Sequence, residues 1–143
     1  MFLETSSTTP IATIDNTSSA FLYGQPYVLT IASPGNHTVT IKNVGSTYSD
    51  IDQIVLLGPP EPLTTTPGTY QETDLNLTYN GVWTQSINSA ALGGGRRYTN
   101  QPGASVSFEI NSSVGRVVIY RTTYAAGVYG SMQVFLETSS TTP

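Results

Sequence analysis

Residues 2 to 10 read FLETSSTTP, and residues 135 to 143 read FLETSSTTP again, an offset of 133 in a chain of 143. Identity of that length at the two ends of a short chain is not chance. The offset is too long for a solenoid unit and about the size of a whole domain. The sequence therefore reads as a window on a tandem array, in which a 133-residue unit is seen once with a short overlap into the next. The identity stops upstream, where Met1 stands opposite Val134, as an introduced start codon would leave it. Phe2, Leu3 and Glu4 then correspond to Phe135, Leu136 and Glu137, and this inter-repeat strand is expected to be shared between neighbours, directly or by strand exchange.

Composition narrows the function classes. Charged residues are 10% of the chain, against about a quarter in ordinary domains. Solubility must come from hydroxyls and amides. A net charge of −4 with five Lys and Arg argues against a nucleic-acid partner, which needs clustered cations to neutralise phosphates. No apolar run has the length of a spanning helix and no basic amphipathic helix is visible, so membrane insertion is not expected. The absence of Cys excludes disulfides and thiolate chemistry. Nothing in the sequence points to a cofactor.

Helical periodicity is missing, whereas period-two alternation recurs between Gly, Pro, Asn and Ser clusters. This predicts an all-β fold, a two-sheet antiparallel sandwich of jelly-roll type. Strands are expected at 11–14, 27–32, 37–42, 51–57, 75–79, 105–110, 116–122 and 131–137, with Asn80-Gly81 as the strongest turn. The stretch GPPEPLTTTPG at 58–68 cannot continue a sheet and favours an extended polyproline conformation. It divides the chain into 1–58, the second half of one sandwich, a Pro/Thr-rich linker at 59–69, and 70–143, the first half of the next. The natural unit would start near Tyr70, cross the duplicated strand and end near Gly58 of the following copy.

Joined in that permuted order, the sequence resembles the galactose-binding-like jelly rolls of the carbohydrate-binding-module type. The matching pieces are LTYNGVW (77–83), YTNQPGASVSFEI (98–110), VGRVVIY (114–120), GSMQVFLE (130–137), GNHTVTIKN (35–43) and YSDIDQIVLLG (48–58). The resemblance implies two antiparallel sheets packed face to face, a packing role for Trp83, and use as an accessory or glycan-binding module of large secreted proteins.

Enzymatic chemistry finds no support. The single histidine, His37, sits beside a turn and is expected at the surface, with no second His or Cys to build a metal site or a triad. Asp50 and Asp52, like Glu72 and Asp74, are two apart on a strand and are weak candidates for a Ca²⁺ site. Lys42 is expected to point outward into solvent. Four sequons, at Asn16, Asn36, Asn76 and Asn111, are expected in turns or on outward faces where a sugar is tolerated, and the Thr runs at 64–66 and 138–142 could carry O-linked sugars. Arg96, Arg97, Tyr98, Tyr124 and Tyr129 lie in or beside loops and could form a stacking platform for a glycan.

Two functions follow. One is a structural unit of an extracellular or cell-surface fibre, partnered by copies of itself, with each unit adding roughly 35–40 Å to a rod. The other is a carbohydrate-binding module repeated for avidity.

Overall fold

The computed structural model describes residues 9–31, 35–57, 69–87, 94–111 and 114–138. Every regular element among them is a strand. The periodicity becomes burial most plainly in β3 (His37–Asn43), where odd-numbered positions are buried and Thr38, Thr40 and Lys42 are partly exposed. The same alternation in β10 (Ser105–Ile110) buries Val106, Phe108 and Ile110 and exposes Glu109.

One sheet has the order β1 (Ala12–Asp15), β12 (Ser131–Thr138), β3, β10, β7 (Thr78–Asn80), and a second has β2 (Leu22–Thr30), β11 (Arg116–Thr123), β5 (Gln53–Leu57), β6 (Thr69–Gln71). All pairings in both are antiparallel. Ile14, Val39, Ile41, Val106, Phe108, Met132 and Val134 from the first meet Leu29, Ile54, Leu56, Val117 and Ile119 from the second in one core. Each such side chain taken fully from water stabilises the fold by about 1.5–3 kcal/mol. The expected all-β sandwich is therefore present. A third sheet, β4 (Ser49–Ile51), β9 (Gly95–Thr99) and β8 (Thr84–Ile87), flanks the pair.

Strand directions give the sandwich two distinct ends. β12 descends beside β1 and β3, since Ala12 pairs with Val134 and His37 with Thr138. β10 ends at Ile110, opposite His37, and a short connection leads to β11, whose Arg116 lies between Thr30 and Leu57. One end, the base, thus collects the start of β1, the end of β12, Leu57 and Thr69. The other, the crown, collects the loops that follow Asp15, Asn43, Asn80 and Thr123.

The division at 59–69 takes a different meaning in this light. Segment 58–68 lies outside the described residues, but it joins β5 to β6, adjacent antiparallel strands in register at Val55 and Thr69. β3 of the first segment lies between β10 and β12 of the second, and β11 of the second lies between β2 and β5 of the first. In this chain, 1–58 and 70–143 are complementary halves of one sandwich, with no empty place awaiting a neighbour along β12. Phe135, Leu136 and Glu137 pair with Thr40, Val39 and Thr38, while Phe2, Leu3 and Glu4 lie outside the described residues.

Three local expectations change. His37 is buried at the start of β3, because its alternation phase is that of Val39 and Ile41. Leu75 is 99% exposed. Asp74 Oδ1 accepts from the backbone and side-chain nitrogens of Asn76 at 2.8 and 2.9 Å, and this Asx turn bends the chain before Leu77 enters the core. Lys42 is partly covered, its Nζ lying 5.1 Å from the Phe135 ring centroid. The Asn80-Gly81 turn is as expected: Gly81 has φ +90°, and a Cβ there would meet Gln101 Oε1 at 2.8 Å.

Because β1 and β12 are neighbours, either connectivity should build the same sheets. A permuted chain running Thr69–Thr138, through one copy of SSTTP, into Ile11–Leu57 is expected to unfold cooperatively with a midpoint close to that of the parent. Circular dichroism against temperature reads the outcome, and loss of a cooperative transition contradicts it.

Candidate functional site at the crown

Period-two alternation along β9 sends Arg96 and Tyr98 to one side and Arg97 to the other. On the first side, Arg96 Nη1 donates to Asp50 Oδ2 at 2.6 Å and to the Tyr129 hydroxyl at 2.8 Å. Asp50, fully buried on β4, also accepts from the backbone nitrogen of Thr122 at 2.5 Å. Both carboxylate oxygens are thereby satisfied. The Arg96 guanidinium is flanked by the rings of Tyr98, Tyr23 and Phe21, at 5.2, 5.5 and 6.0 Å, within cation–π range. Burial opposes its charge, but the bond to Asp50 outweighs this and raises its pKa further. Burial pushes the Tyr129 hydroxyl up to about 12, with the Asp50 charge adding to the effect.

Around this pair the aromatic rings close on one another. Phe21 lies 4.8 Å from both Tyr23 and Tyr124, and Tyr48 lies 5.8 Å from Tyr98 and 6.2 Å from Tyr129. These are tilted and edge-to-face arrangements, each worth roughly 0.5–1.5 kcal/mol beyond area burial. Phe21 and Tyr48 remain 39% and 36% exposed, so the cluster has a solvent face.

A polar network fixes the loops beneath it. Arg121 donates to Asn16 Oδ1 at 3.0 Å, to the Gln25 carbonyl at 2.9 Å and to the Asp15 carbonyl at 3.1 Å. Asn16 Nδ2 in turn donates to Ser49 Oγ, and Ser49 Oγ to Asn43 Oδ1. Burial lowers the Arg121 pKa. Asp15 is held below the ordinary carboxylate range by hydrogen bonds from the Thr17 hydroxyl and backbone.

The structure thus gathers Arg96, Tyr98, Tyr124 and Tyr129 from the expected platform and adds Phe21, Tyr23 and Tyr48. The spacing of Phe21 and Tyr23 put them on one face, but their meeting with β9 is a tertiary fact. Arg97 is not part of the group. It lies 4.5 Å from the Tyr79 ring centroid, with Nε donating to Gln85 at 3.0 Å, beside the Tyr79–Trp83 pair. Trp83 itself packs against the core, half-buried.

Among the sequons, Asn16 is a correction: it is fully buried and both ends of its amide are hydrogen-bonded, so no sugar fits there in the folded chain. Asn36, Asn76 and Asn111 are exposed. The Thr runs at 64–66 and 138–142 lie outside the described residues, apart from the backbone of Thr138. The carboxylate pairs are also committed elsewhere. Asp50 binds Arg96, Asp52 is fully buried, and buried Glu72 accepts from Gln85 Nε2 at 3.0 Å. Among the described residues no group of three or more His, Cys, Asp or Glu is placed to hold a metal.

An open cleft of about 340 Å³ lies elsewhere, lined by Thr38, Leu75, Asn76, Thr78, Ser107 and Glu109. Its lining is mixed, three hydroxyls with Asn76, Glu109 and Leu75, and Phe108, which also lines it, belongs to the core. The crown is the stronger candidate, because it combines exposed rings with a buried, rigidly held cation. Comparisons with protein-family models, curated proteins and solved structures found no match.

Two outcomes follow. Arg96→Met leaves the Asp50 carboxylate buried with one partner, so denaturant unfolding should show a loss of about 3–5 kcal/mol, much of it recovered in Asp50→Asn/Arg96→Met. The folded-state pKa of Tyr129 lies above its ordinary value of 10.0, so its contribution is full below pH 10 and is lost as pH rises towards 12. Stability measured across that window should fall, and Tyr129→Phe should flatten the fall.

Proposed function

We propose that this chain is a structural repeat unit of an extracellular or cell-surface array, its partners being further copies of itself. The observation that carries the proposal is the adjacency of β1 and β12, which sets Ile11, just after the first copy of FLETSSTTP, beside Val134, just before the second. The low charge, and three exposed sequons that would make it a glycoprotein, suit a surface facing solvent and other copies.

The strand directions alter the shape such an array takes. Whether a unit is counted from Ile11 to Thr138 or from Thr69 to Leu57, the chain enters and leaves at the base, on neighbouring strands. Successive sandwiches then hang side by side with their crowns outward, and the increment per unit is set by the connecting segment. The rod growing by a full domain height per unit gives way to a row of pendants. The glycan-binding reading is the weaker one: Arg96 is spent on Asp50 and Tyr129, and Arg97 lies on the other side of β9.

A two-unit protein, with the 133-residue period continued once more, tests the proposal by small-angle scattering and negative-stain imaging. Two adjacent, compact beads with identical unfolding midpoints are expected. Beads aligned end to end at full domain height, or a single merged particle, overturn it.

A further inference from the structure

Among the described residues, five of the ten exposed large apolar or aromatic side chains, Phe21, Leu22, Val44, Tyr48 and Val128, belong to the crown. They are tied together through backbone and ring contacts: Tyr48 donates its N–H to the Val128 carbonyl, Val44 to that of Ser131, and Phe21 and Tyr48 both face Tyr129. An exposed apolar patch of this kind on a chain with so little surface charge marks a contact face. Arg96, the cation beneath these rings, is paired with Asp50, so the face offers mostly flat rings and hydroxyls. That chemistry fits a proline-rich strand. A polyproline helix presents pyrrolidine rings that stack on aromatic faces and carbonyls with no internal partner, and it loses little conformational freedom on docking.

The chain supplies such a strand itself. Segment 58–68, GPPEPLTTTPG, has Pro59, Pro60, Pro62 and Pro67 and one charge, Glu61. It is tethered at Leu57 and Thr69, both at the base. With both ends held there, eleven residues reach out about 20 Å at most, whereas the climb from Arg116 to Tyr124 along β11 is roughly 26 Å at 3.3 Å per residue. That length spans at most to the near edge of its own crown, at the level of Tyr98 and Asp50, so contact across the whole face needs the segment of another copy.

We infer that the crown aromatics, Phe21, Tyr23, Tyr48, Tyr98 and Tyr124 with Val128 at their edge, form a docking face for the proline-rich segment 58–68 of a second copy. The contact joins different surfaces of the two partners, base to crown, and such heterologous contacts propagate into open chains. In a row of pendants it cross-links one array to the next, so the setting of the inference rests on the array reading above, while the contact itself does not.

The test titrates the synthetic peptide GPPEPLTTTPG into the full 143-residue chain whose four segment prolines, Pro59, Pro60, Pro62 and Pro67, are replaced by Ser. Amide shifts are followed by NMR. Saturable shifts at Phe21–Tyr23, Tyr48, Tyr98 and Tyr124–Val128 are expected. Tyr48→Ala should weaken binding tenfold or more while the chain still unfolds in a single cooperative transition, and a peptide with Ser at every Pro should bind at least tenfold more weakly. Absence of shifts at millimolar peptide, shifts that map to another face, or equal binding of the Ser peptide each overturn the inference. A neutral oligosaccharide that occupies the same residues and is not displaced by the peptide also overturns it. Failure of the array reading shows separately, in the arrangement of the two-unit protein.

Discussion

The pairing of β12 between β1 and β3 is the constraint on which the rest depends. Ala12 meets Val134 across about 120 residues of chain, and bringing such distant segments together costs about 4 kcal/mol of closure entropy plus a constant. Fully burying Met132 and Val134 on that strand contributes roughly 3–6 kcal/mol. The pairing brings the start of β1 and the end of β12 to one end of the sandwich. Every argument about assembly descends from that placement.

The crown depends on a second balance. Asp50 and Arg96 are removed from water together, and a buried pair of this kind is tolerable only when its remaining donors and acceptors are also occupied. Thr122 and Tyr129 do this in part, occupying Asp50 Oδ1 and sharing Arg96 Nη1, while Arg96 Nε is buried without a hydrogen-bond partner and the rings of Phe21, Tyr23 and Tyr98 cover the guanidinium. A pair so enclosed contributes order more than affinity. It holds the aromatic faces in place and pairs the charge beneath them. The same arrangement limits Arg96 as a hydrogen-bonding group for a ligand, because its Nη1 is directed inward to Asp50 and Tyr129. Gly95, next to it, lies close under Glu72: a Cβ there would come 2.5 Å from Glu72 Oε1 and that side chain would have to move.

The fold class was legible because alternation is a local property. β3 and β10 read correctly from Val39, Ile41, Val106 and Phe108, each two residues from the next apolar position. Leu75 misled because the alternation of Leu75, Leu77 and Tyr79 is genuine, but Asp74 captures the Asn76 amide and turns the chain before pairing begins. His37 misled for the opposite reason. Its neighbour Gly35 marks a turn, yet its phase relative to Val39 already put it inside. Asn16 could not have been recognised as buried, since its partners, Arg121 and Ser49, are 105 and 33 residues away.

The sequence alone determined that the chain is β-structured, that it is sparsely charged, and that its ends carry one repeated segment. These follow from period, composition and identity, which need no knowledge of what lies near what. Only the tertiary structure decided that 1–58 and 70–143 complete a single sandwich, that Arg96 and Arg97 part company, and that the aromatic end lies opposite the tethered one. The reason is that strand order and direction are set by contacts between residues far apart along the chain, where the burial of both sheets is optimised together and no local pattern records the outcome.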